Sequence, residues 1–126
     1  EVLNREPWLA QGNLGWAYIE LAEYDKAIDV LRRALFDQPQ FCVGLYRLGQ
    51  AYYLKGIYDK AEASLRRAVE TDAAGCDQIQ EAFHLLGMAN LRLDRLEEAL
   101  DAFDSCSDLD PVSDVGFSCS KAREGI

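Results

Sequence analysis

The sequence predicts an all-α fold of stacked helix pairs, with three repeating pairs closed by one terminal capping helix, and three observations carry that expectation. Only three prolines and nine glycines punctuate 126 residues, too few turn-formers for the many reversals of a sandwich or barrel. Apolar residues recur at i, i+3, i+4 and i+7 through most of the chain, the period of an amphipathic helix. The chain also repeats itself. "NLGWAYIELAEYDKAIDVLRRAL" at 13–35 matches "RLGQAYYLKGIYDKAEASLRRAV" at 47–69, which sets Gly15 and Gly49, like Ala27 and Ala61, 34 residues apart. A third copy, "LLGMANLRLDRLEEALDAFDSC" at 85–106, follows at an offset of 38, so four extra residues lie within "TDAAGCDQIQ" at 71–80. A fixed period is the mark of an array in which each unit buries its apolar face against the next.

Taken in order, each unit holds two helical patterns, broken at Glu23-Tyr24 in the first, Gly56-Ile57 in the second and Asp94-Arg95 in the third, where the apolar period is interrupted. The pattern predicts helices over 8–21, 24–37, 42–55, 58–71, 79–93, 96–108 and 113–123. The first unit is 8–41, the second 42–75 with an extended loop over 72–79, and the third 80–112, followed by a capping helix in 113–126. Residues 1–7, "EVLNREP", read as the tail of a preceding unit. Gly15, Gly49 and Gly87 fall inside helices, where each costs about 1 kcal/mol against alanine. Close approach of a partner helix is the usual compensation, and Ala27, Ala61 and Ala99 are the small residues expected to meet them.

Several function classes are disfavoured. With 13 basic against 22 acidic residues the net charge is −9, and the only basic clusters are the pairs Arg32-Arg33 and Arg66-Arg67, so no nucleic-acid partner is expected. No run of 18 apolar residues occurs, and the start lacks the basic-then-apolar layout of a leader. There is no phosphate-binding glycine loop and a single histidine, while acidic pairs such as Glu97-Glu98 suit a solvated helix face. The expectation is no catalysis, no metal, no cofactor and no small-molecule substrate.

The repeated residues also carry a family likeness. Leu14-Gly15, Tyr18, Ala27, Leu31, Ala34 and Pro39 in the first unit spell L-G-x2-Y, then A-x3-[LF]-x2-A, then proline. The second unit keeps Leu48-Gly49, Tyr52, Ala61, Leu65 and Ala68, with Ala73 in place of the proline. The third keeps Leu86-Gly87, Ala99, Phe103 and Pro111, with Asn90 in place of tyrosine and Cys106 in place of alanine. The chain thereby resembles the tetratricopeptide repeat family. The resemblance implies a right-handed superhelix of antiparallel helix pairs whose inner face is lined by the first helix of each pair.

Carrying the family's inner stripe across gives Leu9, Gly12, Trp16, Ile19 and Glu20 in the first unit, and Val43, Tyr46, Gln50, Tyr53 and Leu54 in the second. The third unit supplies Glu81, His84, Met88, Leu91 and Arg92. Such a face implies a protein partner that offers an apolar or aromatic segment, since aromatic anchors dominate interface energy. Members that clamp chaperone tails carry lysine, arginine and asparagine at places that here hold Gly12, Trp16 and Glu81, with only Arg47 basic, which argues against that role. The alternative is that an upstream helix or a second copy covers these side chains.

The four cysteines contain no C-x-x-C. The repeat register draws them into two pairs, Cys42 with Cys76 and Cys106 with Cys119, which favours two staples; four free, buried thiols in a cytosolic protein remain the alternative. The longer loop before the third unit, nine arginines against four lysines, and the ending "CSDLDPVSDVGFSC" resemble the repeat-built lipoprotein pilotins of bacterial type IV pili, myxobacterial social-motility pilotins among them. That resemblance implies secretin subunits as partners, a role in secretin assembly, and a place at the periplasmic face of the outer membrane through a lipid anchor outside this chain. The rival readings are a cytosolic adaptor or regulatory module, and the interaction domain of a larger enzyme.

Overall fold

The computed structural model describes residues 7–126, and these form seven α-helices. The tail expected over 1–7 lies outside the described residues except for Pro7, which opens α1. The helices are α1 (Pro7–Glu20), α2 (Tyr24–Asp37), α3 (Cys42–Lys55), α4 (Tyr58–Glu70), α5 (Gln80–Arg92), α6 (Leu96–Leu109) and α7 (Asp114–Glu124). Proline suits the first turn of α1, where its missing N–H has no helical acceptor to lose.

Each unit reverses direction at one left-handed residue: Ala22 at φ 58°, Gly56 at φ 85° and Asp94 at φ 58°. Only the second unit places glycine there, so the other two reversals carry the side-chain strain that glycine avoids. The reversals fold α1 on α2, α3 on α4, and α5 on α6. Each second helix then packs against the next first helix, and α6 packs against α7 in the same way. The result is a superhelix of antiparallel pairs with α7 as its cap.

The helical glycines explain how closely each pair packs. A Cβ on Gly15 would stand 2.5 Å from Leu31 Cγ, one on Gly49 2.5 Å from Leu65 Cγ, and one on Gly87 2.5 Å from Phe103 Cε1. The small residues expected opposite them, Ala27, Ala61 and Ala99, are fully buried. Yet the side chain that enters each glycine notch comes from four residues later on the second helix. Leu31, Leu65 and Phe103 are themselves 0% exposed, so each notch and its filler form one repeated core contact.

Two cross-links tie the array. Between α4 and α5 the extra residues form a 3-10 turn at Cys76–Gln78, entered through Gly75 at φ 83°. Cys76 is bonded there to Cys42, the first residue of α3, with Cα atoms 5.6 Å apart. Cys106 on α6 is bonded to Cys119 on α7, with Cα atoms 6.2 Å apart. The same end is held by a hydrogen-bond knot around Gln80. Its Nε2 donates to the carbonyls of Cys106 at 2.7 Å and Asp110 at 2.9 Å, while Ser113 Oγ donates to its Oε1 at 2.8 Å. Ser113 also caps α7 by accepting from the Gly116 backbone N–H at 3.0 Å. Any side chain on Gly116 would collide with the Asp110 carbonyl.

Candidate partner-binding face

The first helices α1, α3 and α5 present neighbouring stripes. On α1, Trp16 is 46% exposed, and the Arg47 guanidinium of α3 lies 4.7 Å from its ring centroid. The same guanidinium lies 4.9 Å from the ring centroid of Tyr46, and Arg47 Nη1 donates to Gln50 Oε1 at 3.0 Å. Burial pushes the Tyr46 phenol up; Arg47 opposes this, and Glu81 at the start of α5 pushes the same way. Trp16, Arg47, Tyr46 and Glu81 thus run as one strip from α1 to α5.

Toward the other end of the helices, Tyr53 meets Tyr58 edge-on at 5.3 Å, and the Arg92 guanidinium of α5 lies 5.2 Å from the Tyr58 ring. Leu9, Val43 and Leu54 are open to solvent. His84 is half-buried, its ring 6.2 Å from Phe103, and burial holds its pKa below the ordinary value of 6.5. It is therefore a largely neutral imidazole near pH 7.

Other members of the expected stripe are not free. Ile19 is 5% exposed and belongs to the main core, a correction that follows from α1 turning this position toward its partner helices. Gly12 is buried beneath Phe41, whose Cζ lies 2.6 Å from where a Cβ would stand, and Gly44 receives the same ring at 2.6 Å. Met88 and Leu91 are partly buried against the cluster of Phe103, Cys106 and Cys119. The face is accordingly less apolar than the sequence stripe implied. The sequence stripe omits Arg47; its place three residues before Gln50 is the signal of a hydrogen-bonded cation on this helix.

No helix among the described residues is long and apolar enough to cross a membrane. Stacked helix pairs with an aromatic and cationic face along their first helices define a helical-repeat interaction scaffold. Models of the tetratricopeptide repeat match residues 13–75 and 80–113, and the chain belongs to the tetratricopeptide repeat family.

Among curated relatives, BBSome complex member BBS4 of Bos taurus is 32% identical over 111 residues, covering 88% of this chain and 20% of the relative. FK506-binding protein 5 of Rhizopus delemar is 38% identical over 61 residues, covering 48% of this chain and 16% of the relative. The chain thus spans a fifth or less of the length of these relatives. Among solved structures, the first TPR of Spaghetti (RPAP3), bound to the HSP90 peptide SRMEEVD, superposes with TM-score 0.82 at 23% identity, over 94% of this chain and 90% of that one. The likeness shows a shared fold.

Proposed function

We propose that the face of α1, α3 and α5 docks a segment of a protein partner carrying an apolar or aromatic anchor beside a carboxylate. The observation that carries this reading is the Arg47 guanidinium lying 4.7 Å from the Trp16 ring centroid and 4.9 Å from that of Tyr46. With two rings beside it and one N–H given to Gln50, the guanidinium keeps further N–H donors to pair with a partner's carboxylate. Exposed Trp16, Leu9 and Val43 then supply the apolar area around it. That an RPAP3 repeat domain of the same fold is seen with a peptide supports a peptide-sized occupant.

The test is an array of short peptides bearing aromatic and acidic residues, with hits titrated against variants. Trp16→Ala and Arg47→Ala should each weaken the binding of a hit by more than about fivefold, which is about 1 kcal/mol, with the helical content unchanged. Unchanged affinity in both variants would move the binding site to another face.

A narrower form of this reading is a pilotin that handles secretin subunits at the periplasmic face of the outer membrane. The two joined cysteine pairs support it, because disulfides persist in oxidising compartments. The short span against BBS4 and FK506-binding protein 5 favours the second form, a docking module within a longer adaptor or enzyme. Thiol titration of protein denatured without reductant, taken from its native host, separates the two. Four reactive thiols would remove the pilotin form, and none would remove a reduced cytosolic one.

A further inference from the structure

The side formed by the second helices carries a feature that differs from unit to unit. In the first unit the Lys26 ammonium lies 5.9 Å from the Tyr18 ring, and in the second, 34 residues on, Lys60 lies 5.8 Å from Tyr52. The third unit has Asn90 where the tyrosines stand and Glu98 where the lysines stand. One ring and one cation are lost together, and the cation is replaced by a carboxylate.

What remains is a groove of about 300 Å³ between α4 and α6, floored by α5. Val69, Phe83, Leu86 and Ala102 give it apolar walls, and Glu98 and Asp101 line it as well. Asn90 lines it too, only 2% exposed; its Nδ2 donates to the Leu86 carbonyl at 3.1 Å, and its Oδ1 has no hydrogen-bond partner among the described residues. An amide oxygen buried without a donor keeps none of the hydrogen bonds it had in water, so the site is incomplete as it stands. Glu62, Arg66 and Glu70 also line the groove, which leaves its charged lining net acidic, but they do not complete it. Glu62 is held by Arg66 at 2.9 Å and Arg95 at 3.5 Å, and Arg66 is further held in its charged form by Glu70. Glu98 and Asp101 have no ion pair among the described residues.

We propose that this groove is a second docking site, which takes a lysine or arginine side chain from a basic, partly apolar segment of a protein partner. The aliphatic stem of such a side chain suits Phe83, Leu86 and Val69, while its charged head finds Glu98, Asp101 and the Asn90 amide. The partner's cation replaces the one that Lys26 and Lys60 supply internally in the first two units. This site is separate from the Trp16–Arg47–Tyr46 strip, and the charge it recognises is of opposite sign.

The probe is a short capped peptide of alternating leucine and lysine, with its glutamate counterpart as a control, titrated into ¹⁵N-labelled protein. The lysine peptide should shift the Asn90 side-chain amide and the backbone amides of Glu98 and Asp101, and the glutamate peptide should not. Glu98→Lys should weaken the lysine peptide at least about tenfold, whereas Asp59→Lys, the same charge change on α4 outside the groove lining, should leave it within about twofold. The double change Asn90→Tyr with Glu98→Lys rebuilds the pair of the first two units; it should fold with a Tm no lower than the parent and also lose the peptide. Trp16→Ala should leave this binding unaltered, so failure here is distinct from failure of the first site. Equal losses in Glu98→Lys and Asp59→Lys, shifts confined to the α1–α3 strip, or no shifts at all would each overturn the proposal.

Discussion

Leu14 and Leu48 occupy the same place in successive units, each followed by the glycine that admits the second helix, yet Leu14 is 44% exposed and Leu48 is 6% exposed. The third equivalent, Leu86, is 8% exposed. Ala17, Ala51 and Ala89 repeat the contrast, the first exposed and the others fully buried. The difference lies in the neighbour: α2 packs across α3 and α4 across α5, while no described helix packs across that side of α1. Burial in a repeat array belongs to the interface between units more than to the residue. The opposite end has its own incomplete cover, since α7 packs on α6 but leaves Phe117 61% exposed.

The largest way to break the comparison is truncation of the two leucines. Leu48→Ala should cost about 3–4 kcal/mol through lost burial and the cavity left behind, and Leu14→Ala less than about 1 kcal/mol. Urea unfolding of both variants measures the difference, and equal costs would mean that α1 is covered in solution. At the other end, Cys119→Ser should cost about 3 kcal/mol by loop-closure entropy, because the bond closes a loop with a sequence separation of 13. Hydrogen exchange should then quicken in α7 and at the end of α6 while the α3–α4 pair stays protected, since α7 is held mainly by α6 with a lesser contact to α5.

The smallest effect belongs to half-covered His84. Its folded pKa lies below 6.5 because burial penalises the imidazolium, so the unfolded chain binds the proton more readily. The contribution of His84 is fully present above pH 6.5 and is lost as pH falls through that value toward the lower folded pKa. His84→Gln should flatten this part of the stability–pH curve between pH 7 and 5, read by thermal melts across the range.

Most of the fold was legible because its signals are local. The turn at each unit, the notch glycines and the apolar period reside in short stretches, and the helix ends fall within a residue or two of the expected ones. The knot of Gln80, Ser113 and the carbonyls of Cys106 and Asp110 joins residues up to 33 apart, and no local pattern marks a glutamine for it. The binding face was read less fully. Its stripe assigned Ile19 to the open surface and passed over Arg47, because a stripe gives direction from one helix axis and says nothing of what leans in from the next helix.

By itself, the sequence determined the period, the helices, the direction changes and the family, all of which follow from helical spacing and from small residues placed where helices touch. Tertiary structure alone decided which equivalent leucine is covered, that Arg47 lies beside the rings of both Trp16 and Tyr46, and that the exchange of tyrosine and lysine for Asn90 and Glu98 leaves a groove. Equivalent residues in a repeat meet different neighbours, and it is the neighbour that sets burial, pairing and vacancy.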